Sequence, residues 1–416
     1  MTAEAVTPDM TSEVDFNSVR WSHLYPEIAA HPVRVEPYVS PEYYRLEQER
    51  LFKKVWLYVG REERVANAGD YMVKDFDVAR TSIIVVRGRD GRLRAFHNVC
   101  THRGNRLLTD SGGSCKQITC MFHGWAFKLD GSLSGVPGER QFHEFDKADH
   151  GMVGVHVDTW EGFVFIHLGE RPDETLAEYV GEMGEDIAGF PFAKMSHSYT
   201  YKTKIKTNWK LGVDAFQEYY HTGFIHKASV AKTVNGPGNT VSSLLLTKLY
   251  DRHRLLSGWG NPLYRPTAME MASFQAGMSM ANMLTVDDGI ATEFPPNLNP
   301  TQHPQWSFDL NVFFPNFILF RFTNLTFTHE FWPSAHDECE WILTLSFPEP
   351  RNAGELFSRQ QTSITGRDGS LEDLFTLEET FAGLQSGAIS EMTLQDNEMS
   401  IRHSSKVVED YVGFYR

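Results

Sequence analysis

Asn98-Val-Cys100-Thr-His102-Arg-Gly104 and, further on, Cys120-Met-Phe-His123-Gly-Trp125 place two cysteines and two histidines in two short loops, each with its own glycine. A thiolate and an imidazole two or three residues apart reach one metal pole from a tight turn. Two such turns make a four-ligand site. Four unrelated polar core residues would not come with paired glycines at this spacing.

The donor set fits two metals. Cys₂His₂ serves Zn²⁺ in many small domains, and it also serves a Rieske [2Fe–2S] cluster, in which two histidines replace two cysteines on one iron. Zinc knuckles usually pair like with like, whereas here each loop offers one cysteine and one histidine. The pattern therefore reads as a Rieske cluster held by Cys100, His102, Cys120 and His123.

The 416 residues leave room for two or three domains. With 41% hydrophobic and 22% charged residues, the chain has the balance of an ordinary globular protein with a large core. A net charge of −15 argues against a nucleic-acid partner. Two of the four cysteines are claimed by the loops, which leaves Cys115 and Cys339 without a disulfide framework and points to a cytoplasmic setting. No apolar run is long enough to span a membrane, and residues 1–14 lack the basic start and apolar stretch of a secretion signal.

Working outward from the loops, residues 1–40 carry several prolines and no clear period, and read as an irregular arm. Glu42 to Phe52 reads as a short helix. Strands are expected at 55–59, 71–73, 82–87, 93–98, 153–158 and 163–168, with turn-and-strand character after Ala126. Thr175 to Ile187 places Leu176, Val180, Met183 and Ile187 on one helical face. Residues 199–207 alternate as a half-exposed strand, and 308–314, 317–322 and 340–347 read as strands of an aromatic-rich antiparallel sheet. Residues 251–304 hold Met269, Met271, Met278, Met280 and Met283, read either as core filler or as an adaptable pocket wall. Residues 371–395 and 399–413 read as two C-terminal helices.

A second constellation lies in Asn208-Trp-Lys-Leu-Gly-Val-Asp214-Ala-Phe-Gln-Glu218-Tyr-Tyr-His221-Thr-Gly-Phe-Ile-His226. Histidines five residues apart sit roughly 140° apart around an ideal helix, so they converge only if the helix ends or distorts between them. Gly223 offers that freedom. Glu218 shares a helical face with His221 and is placed to fix its tautomer.

Taken together, these motifs resemble the α subunit of a Rieske non-haem iron ring-hydroxylating oxygenase, over nearly the whole chain. That resemblance implies an α+β protein: an N-terminal all-β Rieske domain joined to a helix-grip (START/Bet v1-like) catalytic domain built on an antiparallel sheet. Expected boundaries are 1–50 for an arm and helix packing on the catalytic domain, 51–170 for the Rieske domain, and 171–416 for the catalytic domain. By resemblance, His221, His226 and a late aspartate hold mononuclear Fe(II) in a 2-His-1-carboxylate triad. Asp373 is the choice for the third ligand, with Asp396 and Glu372 as alternatives. Asp214 and Glu218 would be catalytic carboxylates, Glu218 bridging toward His123 of a neighbouring subunit in a homotrimer.

The resemblance also implies electrons from NAD(P)H through a ferredoxin or a reductase, O₂ as co-substrate, and a separate β subunit as an open option. The substrate is expected to be small, apolar and aromatic, with Phe216, Phe224 and Ile225 beside the iron ligands and Phe317 to Phe327 lining the sheet. Hydroxylation and oxidative demethylation both stay open. Three departures from the family's common pattern stand out. Glu218 replaces a frequent aspartate and is longer by about 1.5 Å, as in a subset that includes oxygenases of quaternary ammonium substrates, which keeps an ammonium substrate open. Ala215 stands where an asparagine is common. Phe122 replaces a frequent tyrosine, removing a hydroxyl that would raise the cluster potential. The competing readings are a zinc ribbon on a ligand-binding domain and a pure electron carrier.

Overall fold

The computed structural model describes residue 16, residues 20–277 and residues 294–413. Met278, Met280 and Met283 of the methionine-rich segment lie outside the described residues. The chain divides into two compact units, one of residues 45–181 and one of residues 1–44 together with 182–416.

The 45–181 unit is built almost entirely from β-structure. Its strands are β1 (Trp56–Arg61), β2 (Asp70–Phe76), β3 (Thr81–Arg87), β4 (Leu93–His97), β5 (Gly112–Ser114), β6 (Ile118–Thr119), β7 (Ala126–Phe127), β8 (Leu133–Gly135), β9 (Gly154–Trp160) and β10 (Phe163–His167). Seven of them form one sheet in the order β1-β10-β9-β4-β3-β2-β5, and β6-β7-β8 form a second, smaller one. Val, Ile and Phe side chains supply the buried face, including Ile84, Val86, Phe96, Ile118 and Phe127. Cys100, Cys120 and Trp125 belong to the same buried cluster, so the two loops are anchored in the core and not hung from it. Helix α1 (Pro41–Arg50) carries Glu42 in its first turn and Arg50 in its last, charges that suit the helix dipole. Helix α2 (Leu176–Ile187) buries its four expected apolar residues but breaks at Gly181, whose φ of 53° is left-handed.

The other unit is built on a seven-stranded antiparallel sheet with helices. Its strands are β11 (His197–Ile205), β12 (Leu246–Leu249), β13 (Arg254–Trp259), β14 (Trp306–Phe313), β15 (Phe317–Arg321), β16 (Thr326–Ala335) and β17 (Glu338–Phe347), in the spatial order β11-β17-β16-β15-β14-β13-β12. Strand β16 is absent from the sequence expectation. It reads Thr-Phe-Thr-His-Glu-Phe-Trp-Pro, with polar residues at positions that the sheet buries. Central β14 is covered on both faces, and its register separates an apolar face (Phe308, Leu310, Val312) from a polar one. On the polar face Asp309 and Arg321 are fully buried as an ion pair, and Arg321 also donates to Asn311 Oδ1 at 2.9 Å, the pairing that burial of charge demands.

Among the helices of this unit are α3 (Trp209–Ala215), α4 (Thr222–Ile225), α5 (Ala268–Gly277), α6 (Ala353–Gln385) and α7 (Met399–Val412). The sequence expectation of a helix at 371–395 is corrected: α6 starts at Ala353, capped by Asn352, and ends at Gln385. Its first half is rich in Ser, Thr and Gly, weak helix formers that tertiary packing overrides by burying Ser358, Thr362 and Ser363. The N-terminal segment is tied to this unit by an antiparallel pairing of Val33–Arg34 with Glu391–Met392.

Candidate metal centres

The two cysteine–histidine loops are built on one hydrogen-bond frame. In the loop between β4 and β5, the Cys100 N–H donates to the Asn105 carbonyl (2.8 Å) and the Gly104 N–H donates to the Cys100 carbonyl (2.9 Å). In the loop between β6 and β7, the Cys120 N–H donates to the Trp125 carbonyl (2.8 Å) and the Gly124 N–H donates to the Cys120 carbonyl (3.0 Å). Gly104 and Gly124 both take the left-handed conformation that closes the turn, at φ 77° and 72°. The frame is common, but the histidine comes third in one loop and fourth in the other.

Both thiols are turned inward and are in contact with each other. Each sulfur also accepts backbone N–H groups of its own loop: His102 and Arg103 for Cys100, Phe122 and His123 for Cys120. Asn105 Nδ2 adds a further donor 3.7 Å from Cys120 Sγ. Burial raises the Cys100 thiol; at Cys120 burial pushes the same way, but the donors outweigh it and the pKa falls. The His102 and His123 rings lie 4.7 Å apart, and Trp125 stacks on His102 at 4.8 Å and 11°. His102 Nδ1 is buried with no hydrogen-bond partner. An orphaned ring nitrogen beside two sulfurs that already receive N–H donors is the donor set a [2Fe–2S] cluster needs. Asn98 holds the base of the first loop, its Oδ1 accepting from the N–H groups of Leu107 and Leu108 at 3.0 and 2.9 Å.

The second centre gathers His221, His226 and Asp373, whose ligand atoms all lie within 4.8 Å of one another. Helix α4 is a single turn, with His221 just before it and His226 just after it, at φ −94° and ψ 24°. Shortness of the helix therefore brings the two imidazoles to one pole. Gly223 acts differently from the sequence expectation: a Cβ there would meet Asn235 Nδ2 at 2.6 Å, so the glycine permits close packing. Asp373 Oδ1 lies 3.1 Å from His226 Nε2 and 3.5 Å from His221 Nε2, yet has no hydrogen bond of good geometry. Three donor atoms converging without bonding one another fit a metal ion.

Each histidine presents Nε2 to that pole because a carboxylate holds its Nδ1. His221 Nδ1 donates to Glu218 Oε1, while Glu218 Oε2 accepts from the N–H groups of Tyr220 (2.5 Å) and His221 (3.3 Å). His226 Nδ1 donates to Glu372 Oε2 at 2.7 Å. Burial disfavours charge on both rings, but Glu218 and Asp373 raise His221, and Asp373 and Glu372 raise His226. The pole is thus built for positive charge.

The remaining candidates fall elsewhere. Asp214 is buried, accepting from Tyr38 Oη (2.7 Å) and Gln217 Nε2 (2.9 Å), and burial pushes its carboxyl up to about 7. Its hydrogen bonds tie the N-terminal segment to α3 and do not involve the triad. Asp396, an alternative third ligand, instead accepts from the backbone N–H groups of Trp21 and Ser22. Glu372, the other alternative, lies behind His226. Phe224 is 61% exposed and lines no interior, whereas Phe216 packs on His329 at 4.2 Å. No described helix is long and apolar enough to cross a membrane.

Residues 192–413 match the family model for the ring hydroxylating alpha subunit (catalytic domain), and residues 55–151 match the Rieske [2Fe–2S] domain. The chain is 35% identical to the carnitine monooxygenase oxygenase subunit of Acinetobacter pittii over 192 residues, covering 45% of this chain and 51% of that protein. It is 34% identical to the biphenyl 2,3-dioxygenase subunit alpha of Rhodococcus jostii over 199 residues, covering 46% of this chain and 42% of that one. The aligned part thus spans about half the length of these relatives. A solved quaternary ammonium Rieske monooxygenase has the same fold, with a TM-score of 0.74 at 23% identity over 92% of this chain and 95% of the other. The catalytic-domain model covers more than half of the sequence and the Rieske model covers its paired loops, so the chain belongs to the ring-hydroxylating α-subunit family, whose Rieske [2Fe–2S] cluster and mononuclear iron these two donor sets fit.

Proposed function

We propose that this chain is the terminal oxygenase component of a Rieske non-haem iron oxygenase, with the cluster on Cys100, His102, Cys120 and His123 and the iron on His221, His226 and Asp373. The observation that carries the reading is the triad: three unbonded donor atoms within 4.8 Å, with both histidines fixed from behind by carboxylates. The cofactors supply what side chains cannot, stepwise electrons from the cluster and O₂ activation at the iron. The residues of the chain do the rest. Glu218 and Glu372 hold the imidazoles as neutral Nε2 donors, and Asp373 brings one negative charge.

Both Glu218 oxygens are engaged, yet a carboxylate has about four acceptor positions, so it can still accept from a further imidazole. We assign that place to His123 of a neighbouring copy in a cyclic homotrimer, with a ferredoxin or reductase fed by NAD(P)H as the electron partner.

The substrate reading rests on the aromatic rings packed around Tyr219, which lies between Glu218 and His221 in sequence. Tyr219, between Glu218 and His221, contacts Phe308 at 5.0 Å; Phe308 contacts Phe320 at 5.6 Å, and Phe320 contacts His329 at 5.6 Å. His329 is buried and burial lowers its pKa to about 3, so it stands among these rings as a neutral ring. Aromatic packing of this kind favours an apolar, aromatic substrate for hydroxylation or oxidative demethylation. The second reading, a quaternary ammonium substrate, is favoured by Glu218 and by likeness to the carnitine monooxygenase subunit, since π faces also bind trimethylammonium groups. The test is a panel of aromatic acids, phenols and methylated amines, carnitine included, with a surrogate reductase. Substrate-dependent O₂ uptake with an oxygenated product is expected; no uptake from any member, with cluster and iron both loaded, would overturn the reading.

A further inference from the structure

We propose that Glu372, clamped by Ser229, is the positioning residue for the second iron histidine, so that α6 holds the site with two consecutive carboxylates in two roles. The inference rests on the iron-site reading above. Neighbouring helical residues point about 100° apart. Asp373 accordingly faces the pole, with its side chain 6% exposed, while Glu372 reaches round the far side of His226 at 29%.

One oxygen carries the whole contact. Glu372 Oε2 accepts from His226 Nδ1 at 2.7 Å and from Ser229 Oγ at 2.5 Å. Two donors on one oxygen use both of its lone pairs and fix the carboxylate in orientation as well as position. Ser229 belongs to the turn that follows His226, since its N–H donates to the His226 carbonyl at 3.0 Å. The clasp therefore runs from the ligand's own loop to α6 and back. It holds the ring as the tautomer with Nδ1 protonated and Nε2 free, and it raises the basicity of Nε2 toward a metal.

The contrast with the first histidine is informative. Glu218 lies three residues before His221, so that pair forms within one local segment. Glu372 is 146 residues from His226, so the second ligand is oriented only once α6 has docked. A carboxylate behind a metal-ligating histidine typically changes metal affinity 10–100-fold, roughly.

The test uses the full chain with its cluster loaded and oxidised, and Co²⁺ as a probe of the mononuclear site. Glu372→Ala is expected to weaken Co²⁺ about 10–100-fold in chelator competition. Glu372→Gln retains an acceptor oxygen without the charge and should weaken binding less; Ser229→Ala should have the smallest effect. Proton NMR supplies a readout that a merely structural role would not move. Wild type should show two exchangeable, paramagnetically shifted ring N–H signals, one of them lost in Glu372→Ala and recovered in Glu372→Gln. Wild-type affinity with both signals present in Glu372→Ala would overturn the proposal. Unchanged Co²⁺ binding in His226→Ala and Asp373→Ala would instead sink the underlying iron-site reading, and this role with it.

Discussion

The two candidate metal centres of this chain are assembled in opposite ways. In the cluster region two loops repeat one local frame, with the cysteine N–H closing on the residue five positions on and a left-handed glycine completing the turn. Each loop orients its own two ligands within four residues. The region of His221, His226 and Asp373 has no such repeat. One histidine is held at Nδ1 by its sequence neighbour Glu218, the other by Glu372 on a distant helix, and Asp373 comes from that same helix. A locally built site depends on turn geometry, whereas an assembled site depends on helix docking and on the charges behind its ligands.

Asp373→Ala should abolish oxygenation and lower iron from three to two per chain, leaving the cluster's spectrum unchanged; a metal analysis still giving three would unseat Asp373 as a ligand. Glu218→Gln comes next, tested by product yield in a single turnover of reduced protein. Both metals should stay bound while yield drops about tenfold or more, and normal yield would remove Glu218 from the electron route.

A third effect tests the tie between the N-terminal segment and α3. Burial moves the Asp214 carboxyl from its ordinary 3.8 up to about 7, so the folded state favours its neutral form. The resulting stability is fully present below pH 3.8 and is lost as pH rises through about 7, with an upper bound of about 4 kcal/mol. Thermal unfolding should therefore show wild type losing ground to Asp214→Asn between pH 5 and pH 8. Parallel pH profiles would refute the assignment.

The smallest effect probes the twin loops. Alanine in a left-handed turn costs about 1–2 kcal/mol. A Cβ at Gly104 meets nothing within 4 Å, but one at Gly124 meets Pro137 Cγ at 3.2 Å. Gly124→Ala should thus lower the melting temperature and cluster retention more than Gly104→Ala, and equal losses would show that the two frames are energetically alike.

How much was legible follows the same division. The loops were readable because ligands, glycines and flanking strands all lie within a few residues, where spacing encodes geometry. Strands with alternating Val, Ile and Phe were readable for the same reason. Strand β16 was not, because His329 and Glu330 look solvent-exposed in sequence and are buried by the sheet on which they pair. The first half of α6 was not, because Ser358, Thr362 and Ser363 carry no helical signal until packing supplies it. Glu372 could be suspected as a ligand from its place beside Asp373, but nothing local distinguishes the residue that faces the pole from the one that stands behind His226.

Residue type and short-range spacing were enough to read the chemistry of both donor sets, the β character of the 45–181 unit and the pair of histidines that converges with Asp373. Long-range packing, by contrast, set which carboxylate converges with the two histidines, which ones accept from their Nδ1 atoms, and where Asp214 and Asp396 are engaged. Those are choices among chemically equivalent carboxylates, and only long-range docking, which sets distance, burial and available partners, separates them.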